Sequence, residues 1–213
     1  PIKKTVDTMN IQELNKLTSK KYKYPCKMMY NQTEMPNMKQ ITEKSIQNEM
    51  ELMIKNSMFE ENLQICEGCQ VMCICNLDQE NNLVNGSQGV VLDFHYDIEQ
   101  NNYYPRVKFD KIAEPVIIKE NSWYLESNNK YSINQLPIIL SWAITTHKSQ
   151  GLSIEKALID IGNNIFEYGQ TYVALSRVKT LNGLYLTRVN AQKIKAHPKV
   201  IEFYNSLKKE LNI

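Results

Sequence analysis

Residues 137–145, PIILSWAIT, are almost continuously apolar, and the chain turns polar at once in THKSQG, residues 146–151. A strand with one wet face alternates apolar and polar side chains. A run without alternation suits a strand buried on both faces, as in a parallel sheet. Covering both faces requires helices, so this run predicts a layered α/β fold. The segments after it agree. KALIDIG (156–162) and GLYLTRV (183–189) read as two further short strands. EYGQTYVALSRV (167–178), between them, reads as a helix with Tyr172, Leu175 and Ser176 at its spacing. HPKVIEFYNSLKKEL (197–211) reads as a closing helix, with Pro198 tolerated in its first turn and Val200, Ile201, Tyr204, Leu207 and Leu211 on one face.

Upstream, residues 5–17 place Val6, Met9, Leu14 and Leu17 at helical spacing. Residues 18–40 are polar, contain Pro25 and Pro36, and read as loop. Residues 41–58 return to helical spacing, with Ile41, Ile46, Met50, Met53 and Ile54 as the apolar stripe and Thr42 as a cap. From residue 63 the texture becomes β-rich: GCQVMCIC alternates, Asn85-Gly86 followed by Gly89 signals a turn, and VVLDFHY, YPRVKF and PVII are short strand candidates. Several short strands in so short a segment predict a small barrel. The expected organisation is an α/β domain in two parts, 1–62 and 137–213, interrupted by a β insertion at 63–136.

Charge separates the same three regions. Residues 1–59 carry ten Lys/Arg and six Asp/Glu, residues 60–136 five and twelve, and residues 137–213 ten and five. A polyanion would prefer the basic ends, although ordinary solvated surface explains the same totals. Hydrophobic content of 42% and charged content of 23% fit a water-facing globular chain. No apolar run approaches the roughly 18 residues of a membrane span, and PIKKTVDTMN lacks the apolar core of a signal peptide, so an intracellular setting is expected. With no initiator Met, the chain reads as a piece of something longer. Cys66, Cys69, Cys73 and Cys75 form C-x2-C-x3-C-x-C. Zinc knuckles usually stand further apart, and four thiols within one strand-like run read better as core residues than as a metal site.

The chemistry gathers at TTHKSQG. Thr145, Thr146 and Ser149 offer hydroxyls, Lys148 a charge, and Gly151 close backbone approach to an anion. Such a segment beyond a strand end suits phosphate. No G-x4-G-K-[ST] loop occurs anywhere, and Asp160, at a strand end, has no acidic neighbour with which to hold Mg²⁺. The chain therefore touches phosphate without seizing a nucleotide by itself. Arg177, late in its helix, has the fixed charge and planar fork suited to phosphate oxygens, or else it complements the negative end of the helix.

LPIILSWAITTHKSQGLSIEKALIDIG followed by YGQTYVALSRVKTLNGLYL closely resembles motifs V and VI of superfamily 1 helicases, in the RecD-like, petite-integration-frequency branch. GCQVMCICNLDQENNLVNGSQGVV resembles the family's segment that opens an SH3-like barrel, PIKKTVDTMN the end of motif IV, and HPKVIEFY the closing helix. The resemblance implies a second RecA-like domain, with a parallel sheet, flanking helices and an inserted small SH3-like barrel, from a 5′-to-3′ DNA helicase. It implies that Arg177 is the arginine finger, with Gln150, Gly151 and Ser153 beside the nucleotide. Lys3, Lys4, Thr145, Thr146, His147 and Lys148 would face single-stranded DNA, and Gln170 and Tyr172 would support the motif VI helix. ATP and Mg²⁺ would be held mainly by an N-terminal RecA-like domain, the other partners being fork DNA and replication or primase proteins. Lys3 and Ile133 stand where the family usually has arginine, and Leu152 precedes Ser153 in place of the family's closer Q-x-[ST] spacing. Motifs I to III do not occur in the chain. A helicase half serving only as a nucleic-acid clamp or protein-docking platform is the competing expectation.

Overall fold

The computed structural model describes residues 3–30 and 43–211. Its elements run α1 (Lys3–Lys16), β1 (Tyr22–Pro25), β2 (Lys27–Tyr30), α2 (Glu43–Asn56), β3 (Asn62–Ile65), β4 (Gln70–Cys73), β5 (Gln88–Asp97) and β6 (Asn102–Phe109). They continue with β7 (Val116–Ile117), β8 (Asn121–Tyr124), β9 (Tyr131–Gln135), β10 (Ile138–Leu140), β11 (Ala157–Ile161), α3 (Gln170–Leu175), β12 (Leu184–Val189) and α4 (Pro198–Leu211). Pro36, Ile41, the proposed cap Thr42 and the side chain of Leu211 lie outside what is described. No helix among the described residues is long and apolar enough to cross a membrane.

The chain forms two compact units, one spanning Met9–Ala143 and the other built from the first eight residues and residues from Ile144 onward. The first unit is mostly antiparallel. Its five-stranded sheet has the order β10-β4-β5-β6-β7, beside a three-stranded sheet β2-β9-β8 and the ribbon β1-β3. Leu63, Ile65, Val71, Val107, Leu136 and Ile138 are fully buried in its core. Gln135 knits the parts together: its Nε2 donates to the Tyr24 carbonyl at 2.7 Å and to the Glu60 carbonyl at 2.8 Å, and its Oε1 accepts from the Leu136 amide at 2.7 Å. In the second unit β11 and β12 pair in parallel, with α3 in the crossover, and α4 follows.

The fold is mixed α/β as expected, and the structure corrects the finer expectation. Among the described residues there is no large parallel sheet and no closed barrel. The run at 137–145 contributes only Ile138–Leu140 to a sheet, and those residues pair antiparallel with Val71–Cys73. A continuous apolar run reports burial and carries no information about strand direction, and here three residues at a sheet edge are buried by the core. The sheet stays open because its edges, β7 and β10, are not paired with each other. Residues 22–30, read as loop, form β1 and β2. Their lysines hide the pattern, and Pro25 sits at the end of an edge strand, where its missing N–H costs no ladder bond.

Three of the four clustered thiols, Cys66, Cys69 and Cys73, lie in the core. Burial pushes the Cys69 thiol up to about 12, and hydrogen bonding with Cys75 together with burial raises that of Cys73. Cys75 is half-buried, and its bond from Cys73 lowers its thiol below the ordinary range. Because the raised thiols stay protonated well above their unfolded values, their contribution to stability is full below about pH 8.5 and is lost as pH rises toward 12. At pH 8 a thiol reagent should label Cys75 first and Cys26 more slowly, sparing the other three until denaturant is added. Labelling of Cys66, Cys69 or Cys73 at the rate of Cys75 would contradict the core assignment.

Candidate functional site

The segment entering the site leaves β10 through one last rung, the Ser141 amide donating to the Gln70 carbonyl at 2.9 Å. The next fixed point was not anticipated from sequence. Asn10, buried on α1, donates through Nδ2 to the Ala143 carbonyl at 2.9 Å and accepts through Oδ1 from the Ala143 amide at 2.9 Å. An amide side chain thereby copies a β-bridge. The only sequence signal is an asparagine inside a helix, where it has low propensity. Asn10→Ala leaves two backbone groups without a partner and should cost about 1–3 kcal/mol. Asn10→Asp should recover part of this, since a carboxylate still accepts from the Ala143 amide; urea titration of the variants, with aspartate no better than alanine, would refute the bracket.

From Thr145 to Gly151 the chain winds in tight turns. Thr145 Oγ1 accepts from the Lys148 amide at 3.2 Å, the Ser149 amide donates to the carbonyls of Thr145 and Thr146 at 3.0 and 3.2 Å, and Ser149 Oγ donates to the Thr146 carbonyl at 2.7 Å. The three hydroxyl residues expected to present themselves to phosphate are thus buried and occupied in building the turn. His147 and Gln150 are exposed, and Lys148 is half-buried. Gly151 has φ 77° with open space where a Cβ would stand, so it reverses the chain and leaves the surface uncovered. Leu152 then turns inward while Ser153 is exposed. Lys3 and Lys4 are exposed on the first turn of α1.

The 144–154 segment is joined to the end of α3. The Ile154 amide donates to the Arg177 carbonyl at 2.8 Å and the Lys179 amide to the Ile154 carbonyl at 3.2 Å, a parallel bridge between Ile154 and Val178. A 2.7 Å ion pair between Lys179 and Glu155 flanks it. Sequence reasoning named both segments but not this joint, which brings Ser153 next to the Arg177 backbone.

α3 is shorter than expected, because Gly169 opens it in a left-handed conformation (φ 72°) and Ser176 closes it. Gln170 steadies its start, Oε1 accepting from the amides of Phe166 and Glu167 at 3.1 and 3.3 Å. The Gly169 amide also donates to the Lys195 carbonyl at 3.0 Å. Tyr172, expected to support the helix, is 75% exposed. Arg177 folds back on its own helix end: Nε donates to the Val173 carbonyl at 3.0 Å and Nη2 to Ser176 Oγ at 2.9 Å. That is the helix-end arrangement weighed against the finger. Asp160 pairs with Arg188 at 2.6 Å, and the Gly162 amide bonded to it, with Arg188, holds its carboxyl below the usual range.

Residues 51–94 match the family described as DNA helicase Pif1, 2B domain. Over 152 residues the chain is 38% identical to the ATP-dependent DNA helicase PIF1 of Xenopus laevis, a match covering 70% of this chain and 23% of that protein. The fold superposes on the crystal structure of Pif1 helicase from Candida albicans with a TM-score of 0.74 and 32% identity, covering 97% of this chain and 48% of that one. A Bacteroides Pif1 structure in complex with ADP-AlF4 gives 0.70 at 25% identity over 98% of this chain and 44% of that one; another, bound to ssDNA, gives 0.64 at 26% over 99% and 45%. The chain thus spans about a quarter of that curated relative and under half of the solved ones. It belongs to the Pif1 family of DNA helicases, as a segment of such a protein that includes the 2B domain.

Proposed function

We propose that this chain is the C-terminal motor segment of an ATP-dependent 5′-to-3′ DNA helicase. The observation that carries the reading is the Ile154–Val178 bridge, which makes the HKSQG turn and the Arg177 helix end one framework. On one side of it, Lys3, Lys4, His147 and Lys148 grip DNA phosphates without reading bases, in a turn that Thr145 and Thr146 shape. On the other, Gln150, Gly151 and Ser153 border the nucleotide and Arg177 supplies the finger. Arg177 then exchanges its bonds to Val173 and Ser176 for phosphate oxygens, a short swing for a long side chain. The residues present fit an accessory role toward ATP and Mg²⁺: Gly151 offers an uncovered backbone and Arg177 a fork, while Asp160 is committed to Arg188. When bound, the nucleotide supplies the free energy of phosphoryl transfer to water. The proposed domain organisation, 1–62 and 137–213 around an insertion at 63–136, belongs to the same reading.

Assayed alone, this chain should release phosphate from ATP at background rate with or without single-stranded DNA. Robust DNA-stimulated turnover would overturn the reading. The inward fold of Arg177 favours one alternative, a nucleic-acid clamp that uses no finger. Loss of helicase activity in the full-length protein on replacing Arg177 excludes that alternative.

A further inference from the structure

The stretch between β10 and the 145–151 turn hangs on one side chain. Ser141 makes the last rung to the sheet, its amide donating to the Gln70 carbonyl, and Thr145 begins the turn. Among the described residues, the two bonds between Asn10 and Ala143 are the only hydrogen bonds that hold residues 142–144. Trp142 is half-buried against the core, so apolar contact confines the stretch without setting its direction. Asn10 sets it, because one amide engages both backbone polar groups of Ala143.

The anchor is also placed with respect to charge. Lys3 precedes Asn10 by seven residues, close to two helical turns, so the two share a face of α1 about 10 Å apart along its axis. Ala143 precedes His147 by four residues. One clasp therefore holds the first turn of α1 and the HKSQG turn to a single frame. Lys3, Lys4 and His147 are exposed. Asp7, half-buried on α1, is the one carboxylate between Lys3 and Asn10, and it leaves that end of the helix with a surplus of positive charge. Two segments that engage one polyanion gain affinity when their spacing is fixed in advance, since less order is lost on binding. We propose that Asn10 is a positioning residue for the helicase reaction: by holding Ala143 it sets the 145–151 turn in register with the first turn of α1, so that both engage one DNA strand together. This role rests on the helicase reading, which supplies the DNA contacts; the clasp itself does not.

The test follows phosphate release by the full-length protein as single-stranded DNA is added, well below its unfolding temperature. Asn10→Ala should raise the DNA concentration for half-maximal stimulation roughly fivefold or more, while kcat at saturating DNA stays nearly unchanged. With the two segments no longer engaging together, the salt slope of DNA binding should fall by about 0.7, the loss of one phosphate contact. Asn10→Asp loses the bond to the Ala143 carbonyl and should raise the half-maximal concentration as well, which decides the matter if the alanine variant does not fold. Met50→Ala, which opens a cavity under α2, lowers stability without touching the clasp and should leave that concentration where it was. A half-maximal concentration unmoved by both Asn10 variants, an equal rise in Met50→Ala, or a fall in kcat alone would each overturn the proposal and leave the helicase reading standing. If the unaltered protein shows no DNA-stimulated turnover, the helicase reading fails and the role of Asn10 with it.

Discussion

Replacing Arg177 by alanine in the full-length protein is expected to cut DNA-stimulated ATP turnover by about 10³–10⁵-fold while leaving nucleotide binding nearly unchanged. The charge on the transferred phosphoryl group peaks in the transition state, so a finger acts on kcat far more than on ground-state affinity. Lysine should not rescue, because a point charge does not reproduce a planar fork that meets two oxygens. Arg177 also bonds the Val173 carbonyl and Ser176 Oγ in this structure, and its loss removes that tie from the end of α3. This contributes a small loss of stability, which lysine would partly restore. The two roles therefore separate: thermal stability should recover in the lysine variant and turnover should not. Steady-state phosphate release with a nucleotide-binding titration decides between them. Turnover reduced less than tenfold would show that Arg177 serves only its helix.

The second large effect is structural and falls on Gly183. A Cβ placed there would stand 1.9 Å from the Glu155 carbonyl oxygen, inside any permitted contact, with the Glu155 carbonyl carbon at 3.1 Å. The obstacle is main chain, so no side-chain rotation relieves it. Gly183→Ala must push β12 from the segment that carries the Ile154–Val178 bridge and should cost about 3 kcal/mol. Gly151→Ala is the control. Gly151 has open space around it and a left-handed φ of 77°, so alanine meets only backbone strain of about 1 kcal/mol. Urea midpoints should order the proteins as unaltered, Gly151→Ala, Gly183→Ala; equal midpoints for the two variants would contradict the close approach.

Helix periodicity was readable. α1 and α2 lie where Val6, Leu14, Ile46 and Met50 recur at helical spacing, and those four side chains are buried, whereas α4 forms where its spacing places it but leaves Val200, Ile201 and Tyr204 of that face exposed. Strand partners were not readable. Ile138–Leu140 looks the same in sequence whether it pairs parallel or antiparallel, and only the position of Val71–Cys73 decides. β1 and β2 were hidden because lysines occupy their exposed faces. Within the candidate site, residue types announced phosphate, but not which groups face outward. Thr145 and Ser149 spend their hydroxyls on the turn and Thr146 its carbonyl, an outcome set by backbone geometry that composition does not encode. The Asn10 bracket joins residues far apart in the chain, and no local pattern marks it.

The bridge between Ile154 and Val178 also makes the site observable without a ligand-specific probe. Its two rungs use the amides of Ile154 and Lys179, which lie on separate segments yet share one carbonyl-to-amide ladder. A cooperative bridge opens as a unit, so the two amides should exchange with deuterium at matched rates. Tightening of either segment, from the turn side or from the α3 side, then slows both. A pair of amide signals far apart in sequence thus becomes a single gauge of whether one face of the framework has registered what is bound at the other.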